Sequence, residues 1–151
     1  MQVRRVLAEL APAEVDLDGV AGIALAGDLE PAPEAAPWAA PWAALLPGLD
    51  STPMGWRERE WFLGEHGPRL FDRFGNAGPT LWWDGRVVGG WAQAPGGEIV
   101  CRFLEDAGSA AVAAAEAAAE RLGAVLGDVR LSARTRGMTW LEEELARPGG
   151  A

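Results

Sequence analysis

Lysine and tyrosine are absent, and there is one cysteine and one histidine. A lone Cys101 excludes an internal disulfide and a cysteine-based zinc site. It falls in the middle of an alternating apolar stretch, where it reads as a small buried hydrophobe. His66 lies far off in a Gly-Glu-His-Gly-Pro loop, and no pattern brings the two together as a nucleophile and base. No apolar run reaches the roughly 18 residues that a bilayer span requires. The short run after Met1 is broken at Glu9, so no signal peptide is expected, and the chain reads as cytoplasmic and off the membrane. Ser-His-Asp sets, a Walker loop, HExxH and CxxC are also missing. No catalytic residue, metal site or cofactor is therefore expected.

Acid dominates what is present. Thirteen basic residues, all arginine, face 22 acidic ones, for a net charge of −9. Such a chain is repelled on average by phosphate backbones unless its arginines cluster on one face. The length of 151 residues suits one domain, or a small domain with an appendage.

The region most clearly patterned is 75–106. Residues 80–83 run into Asp84-Gly85, a type I′ hairpin dipeptide; 86–93 follows, then Ala94-Pro95-Gly96-Gly97, then 98–104. Three antiparallel strands are expected. Ile99, Cys101 and Phe103 share one face of the last strand, with Glu98 and Arg102 on the other. Trp82, Trp83 and Trp91 supply large rigid area, and Gly89-Gly90 marks a bulge or a close backbone approach. Gly85–Gly90 lies inside a strand and makes no phosphate cradle.

Ahead of this sheet, 2–10 has the spacing of an amphipathic helix (Val3, Val6, Leu7, Leu10) with Arg5 and Glu9 paired at i, i+4. It begins without a capping residue, as if the chain started inside an element, and Pro12 ends it. Residues 14–17 and 22–26 flank Asp18-Gly19 as a short hairpin; the Asp16-x-Asp18 pattern lacks the later carboxylates of a calcium loop. A helix followed by such a hairpin is how a winged helix-turn-helix ends. Arg4 and Arg5 then either face a DNA phosphate or groove, or are a solvated pair. Residues 30–41 read as a Pro/Ala linker carrying a tandem Pro-Trp-Ala-Ala repeat. Residues 42–46 suggest a buried strand, Thr52-Pro53 an N-cap followed by proline at the first helical position, and 57–64 a short helix with Trp61 and Phe62 inward.

After the sheet, 109–126 predicts a long alanine-rich helix with Val112, Ala115, Ala119, Leu122 and Leu126 along its apolar stripe. Residues 128–134 alternate as a strand, with Arg130 and Arg134 outward and Arg136 just beyond. Thr139-Trp140-Leu141-Glu142 fits a capping box opening a last helix to Ala146, after which the chain frays. Asp16, Asp18 and Glu142-Glu143-Glu144 read as solvated. The basic and aromatic set is more informative: Arg57, Arg59, Arg73, Arg86, Arg130, Arg134 and Arg136, with Asn76, Gln93 and the tryptophans close in sequence. Phosphate binding and ordinary ion pairing are both open to these arginines. The fold class is α+β: a partial winged helix over 1–29, the linker, and a domain over 42–147. That domain is an antiparallel β-meander or partly open barrel packed on the long helix.

Several uncommon clusters occur in one order. They are Leu45-Leu46-Pro47-Gly48-Leu49-Asp50-Ser51-Thr52-Pro53-Met54-Gly55-Trp56, then Leu70-Phe71-Asp72-Arg73, Gly75-Asn76-Ala77-Gly78-Pro79-Thr80, and 82–93. Together they resemble the C-terminal part of the bacterial winged-helix DNA-binding-domain family, which includes the AlkZ-like DNA glycosylases that unhook interstrand crosslinks. The resemblance implies a role in DNA binding and repair. It also implies tandem winged-helix units ahead of this region and a catalytic Gln-x-Gln motif within them. Gln2 and Gln93 are the only glutamines here, far apart, so no catalytic residue carries over and the chain reads as a truncated member. The expected partner is double-stranded DNA, bound weakly and in a salt-sensitive way by Arg4, Arg5, Arg73, Asn76, Arg86, Gln93, Arg130, Arg134 and Arg136. The alternative is a non-catalytic interaction domain that docks on other winged-helix segments or self-associates.

Overall fold

The computed structural model describes residues 2–17, 19–30, 41–55, 57–132 and 137–147. Residues 31–40 of the expected linker, Trp56, Asp18, Arg134, Arg136 and the last four residues lie outside this set. The chain divides into two compact units, Met1–Ala39 and Ala40–Ala151.

In the first unit, α1 (Gln2–Leu10) forms as its 3–4 spacing dictates, with Arg5 Nε donating to Glu9 Oε1 at 3.1 Å. β1 (Ala13–Leu17) and β2 (Val20–Ala24) pair antiparallel, with Leu17 opposite Val20 across a two-residue loop. The second strand thus starts two residues earlier than expected. Gly19 at φ 87°, whose N–H donates to Asp16 Oδ1 at 2.6 Å, closes the turn.

The second unit is built on a four-stranded antiparallel sheet in the order β3-β4-β5-β6: Ala43–Leu46, Thr80–Trp83, Arg86–Gln93 and Ile99–Phe103. The three expected strands are present, and the 42–46 segment joins them as an edge strand. The sheet stays open; among the described residues no barrel closes. Asp84 and Gly85 both take positive φ in the β4–β5 turn, as a primed turn demands.

Both readings of Gly89-Gly90 hold. The register slips between Leu81 and Trp82, leaving Val88 as the extra residue of a bulge. A Cβ on Gly90 would lie 2.6 Å from Leu141 Cδ2 and 2.8 Å from the Pro79 carbonyl oxygen, so only glycine lets these layers meet.

Helices cover both faces of the sheet. On one face Phe62, Leu63, Leu70, Leu141 and Leu145 pack on Trp82 and Val87. They come from α3 (Glu60–Leu63), α4 (Gly67–Leu70) and α6 (Trp140–Leu145). On the other face Leu81, Val88, Cys101 and Phe103 meet Ala115 of α5 (Gly108–Leu126). β6 is therefore covered on both faces: Arg102, expected to look outward, donates from Nη1 to Glu144 Oε1 of α6 at 3.0 Å. The α+β class follows directly from this arrangement. Among the described residues no helix is long and apolar enough to cross a membrane.

Five local expectations are corrected. The buried line of α5 is Ala111, Ala115 and Ala118, while Val112 is exposed. Ala115, common to both lines, packs with Leu81 and Val88, and the buried line runs through Ala111 and Ala118 in place of Val112 and Ala119. Trp61 is 72% exposed although Phe62 is buried. Neighbours on a helix diverge by about 100°, and Phe62 takes the inward place, stacked on Trp82 at 5.3 Å. The helix over 51–55 (α2, Ser51–Gly55) is capped not by Thr52 but by Asp50, whose Oδ1 accepts from the Thr52 N–H at 2.8 Å. Residues 128–132 form no strand. The side chain of Gln93 takes that place: its Nε2 donates to the Val129 carbonyl at 3.0 Å, and its Oε1 accepts from the Leu131 N–H at 2.8 Å. Finally, Glu142 and Glu144 are not solvated. Glu142 is 7% exposed within the capping box, and Glu144 joins Arg69 and Arg102.

Candidate nucleic-acid interface

The segment after α4 is organised by one carboxylate. Asp72, only 7% exposed, accepts the Phe74 N–H at 2.8 Å and the Asn76 N–H at 2.9 Å through Oδ1. Through Oδ2 it accepts the Asn76 Nδ2 and the Gly137 N–H, both at 2.9 Å. Desolvation pushes its pKa up, but the hydrogen bonds from Asn76, Phe74 and Gly137 outweigh that and bring it from 3.8 down to about 2. Asn76 is thus turned inward. The reversal it closes, with Gly75 at φ 83°, leaves Arg73 and Phe74 exposed and the Arg73 guanidinium 4.7 Å from the centre of the Phe74 ring.

Arg59 is fixed nearby. Its Nη1 donates to the Pro53 carbonyl at 2.7 Å, and its guanidinium stands 4.5 Å from the centre of the Phe71 ring. Arg59, Arg73, Phe71 and Trp140 line a groove of about 630 Å³ together with Glu60 and Gly64. Trp140, the first residue of α6, is 70% exposed. The capping box holds its backbone: Glu142 N–H donates to Thr139 Oγ1 at 3.2 Å, and Thr139 N–H donates to Glu142 Oε2 at 2.9 Å.

The remaining candidates fall elsewhere. Arg86 is exposed at the start of β5 and Gln93 ends that strand, about 23 Å apart at 3.3 Å per residue. Gln93 and Arg130 do meet: Arg130 donates to the Gly96 carbonyl at 3.1 Å and the Val129 carbonyl at 3.3 Å, beside the backbone that Gln93 holds. Both are engaged in shaping the 127–131 segment. Arg4 and Arg5 are exposed on α1 in the other unit. Arg134 and Arg136 lie outside the described residues. The candidates among the described residues are thus not gathered at one place.

Two centres were missed in the sequence. Asp72 was visible only as part of a Leu-Phe-Asp-Arg cluster, although an Asp four residues before an Asn and three before a Gly is an Asx-turn signal. Trp140 was absorbed into the capping motif. Elsewhere, His66 Nε2 sits 2.9 Å from Glu105 Oε2 and not beside Cys101, whose thiol burial pushes up to about 11. Among the described residues no three His, Cys, Asp or Glu side chains gather as a metal site.

Fold and surface together define an α+β module, an open antiparallel sheet between helical layers, with arginines and aromatic rings on its loops. The AlkZ-like DNA glycosylase model matches residues 1–125, and the chain belongs to that family. Among solved structures it resembles the Streptomyces sahachiroi DNA glycosylase AlkZ, with a TM-score of 0.67 and 28% identity. The match covers 86% of this chain and 35% of that one, so the chain spans about a third of its solved relative. No curated protein matches it.

Proposed function

We propose that the chain is the DNA-associated module of a DNA-repair, glycosylase-like protein and holds its duplex without catalytic groups of its own. The observation that carries this reading is the family match over most of the chain, joined to the likeness to a DNA glycosylase. Residues 1–29 act as the end of a winged helix, α1 lying toward the duplex and the β1–β2 hairpin serving as its wing. Arg4 and Arg5 project from α1 into solvent. Arg73 and Arg86, with Arg134 and Arg136, add phosphate contacts, and Arg130 contributes its charge while bound to carbonyls. Against a net charge of −9, contacts so spread give weak, salt-sensitive affinity.

Retention on duplex DNA across a salt series tests this. Replacing Arg4 and Arg5 by alanine should lower the slope of log affinity against log salt by about two. Unchanged retention and slope in that variant would sink the reading.

One observation favours a second reading. Val3, Val6, Leu10, Leu17, Val20 and Ile23 of the first unit are all exposed, a large apolar surface for so small a unit. Docking of that surface on another winged-helix segment, or on a second copy, would appear as concentration-dependent association in sedimentation without retention on DNA at low salt.

A further inference from the structure

We propose that the groove between α3, α4 and the start of α6 takes one unpaired nucleotide of DNA, its base on the Trp140 indole and its phosphate at Arg59 and Arg73. This rests on the DNA-associated reading above and adds to it a site for the single strand. Three features carry it.

First, the arginines are prepared for an anion. Arg59 is oriented by the Pro53 carbonyl and the Phe71 ring, and Arg73 by the Phe74 ring. Neither makes a salt bridge to a carboxylate among the described residues. Of the two carboxylates lining the groove, Asp72 is saturated by four N–H donors, and Glu60 pairs with neither guanidinium. Guanidinium groups that are already ordered lose less entropy when a phosphate arrives.

Second, Trp140 presents an indole 70% exposed on backbone that the capping box fixes. An aromatic ring held in solvent at the edge of a groove that also carries two arginines is a stacking platform, and stacking accepts any base.

Third, shape selects the single strand. A volume of about 630 Å³ suits one nucleotide, within the roughly 300–1,000 Å³ of small-ligand sites. In a duplex the base faces are covered by their neighbours, so only an unpaired or extruded nucleotide can offer one to Trp140.

The test is fluorescence anisotropy of the full chain with a labelled oligothymidylate of about eight nucleotides and an abasic chain of the same length. The oligothymidylate should bind more tightly. Trp140→Ala should weaken it roughly tenfold and erase the difference from the abasic chain. Arg73→Ala should weaken both chains. Thermal melts confirm that the variants stay folded, as expected for two exposed side chains. A matched duplex with and without one unpaired thymidine then separates the sources: preference for the bulged duplex assigns the groove to an extruded nucleotide, and indifference assigns it to free single strand. Wild-type affinity in Trp140→Ala, or equal binding of the abasic chain, overturns the proposal. Salt slopes with Arg4 and Arg5 replaced concern the duplex alone, so the two readings fail separately.

Discussion

Asp72 shows how much structure one side chain can organise. Its two oxygens gather donors from Phe74, Asn76 and Gly137, tying the loop after α4 to the residue that leads into α6. Because the folded state holds this carboxyl near 2 and the unfolded chain near 3.8, its contribution is complete above about pH 4 and is lost as pH falls toward 2. Acid titration of the melting temperature should therefore show a fall across that window. Asp72→Asn should melt lower at neutral pH, because an amide nitrogen would oppose the N–H groups, and its own fall across the window should be smaller. Equal curves for the two proteins would refute this account.

At the level of elements, α6 depends on its cap. Its six residues are too few to hold a helix unaided, and the buried Thr139 satisfies the first turn together with Glu142. Thr139→Ala should cost about 1–2 kcal/mol in urea unfolding, and Thr139→Ser less, because the serine hydroxyl keeps the cap and only the buried methyl is lost. This box was readable from four letters, as were the β4–β5 turn and the α1 spacing, since each is fixed by neighbours in sequence. What escaped was set by distant partners. The strand expected over 128–134 has the right alternation, but the amide of Gln93, 36 to 38 residues earlier in the chain, binds its backbone instead. Hydrophobic character points Trp61 inward, and helical spacing puts Val112 on the apolar stripe. Phe62 and Ala111 hold those places because the space available is decided by Trp82 and by the sheet. The groove was legible only in part: its arginines stood out in the sequence, while its tryptophan did not.

For the whole molecule, every buried apolar side chain among the described residues belongs to 40–151. That stretch alone should therefore unfold cooperatively, with a melting temperature close to that of the full chain, by calorimetry or circular dichroism. Loss of a cooperative transition on removing the first 39 residues would show that they support the sheet.

Glu144 joins parts of the second unit that the chain visits far apart: it takes Arg69 of α4 on one oxygen and Arg102 of β6 on the other. One anion answering two cations makes the order of inherited change matter. If either arginine is lost first, a balanced pair remains; if the glutamate goes first, two guanidinium groups are left facing each other. Lineages that abandon this triad should therefore pass through an arginine loss, and descendants keeping both arginines should keep an acid at 144.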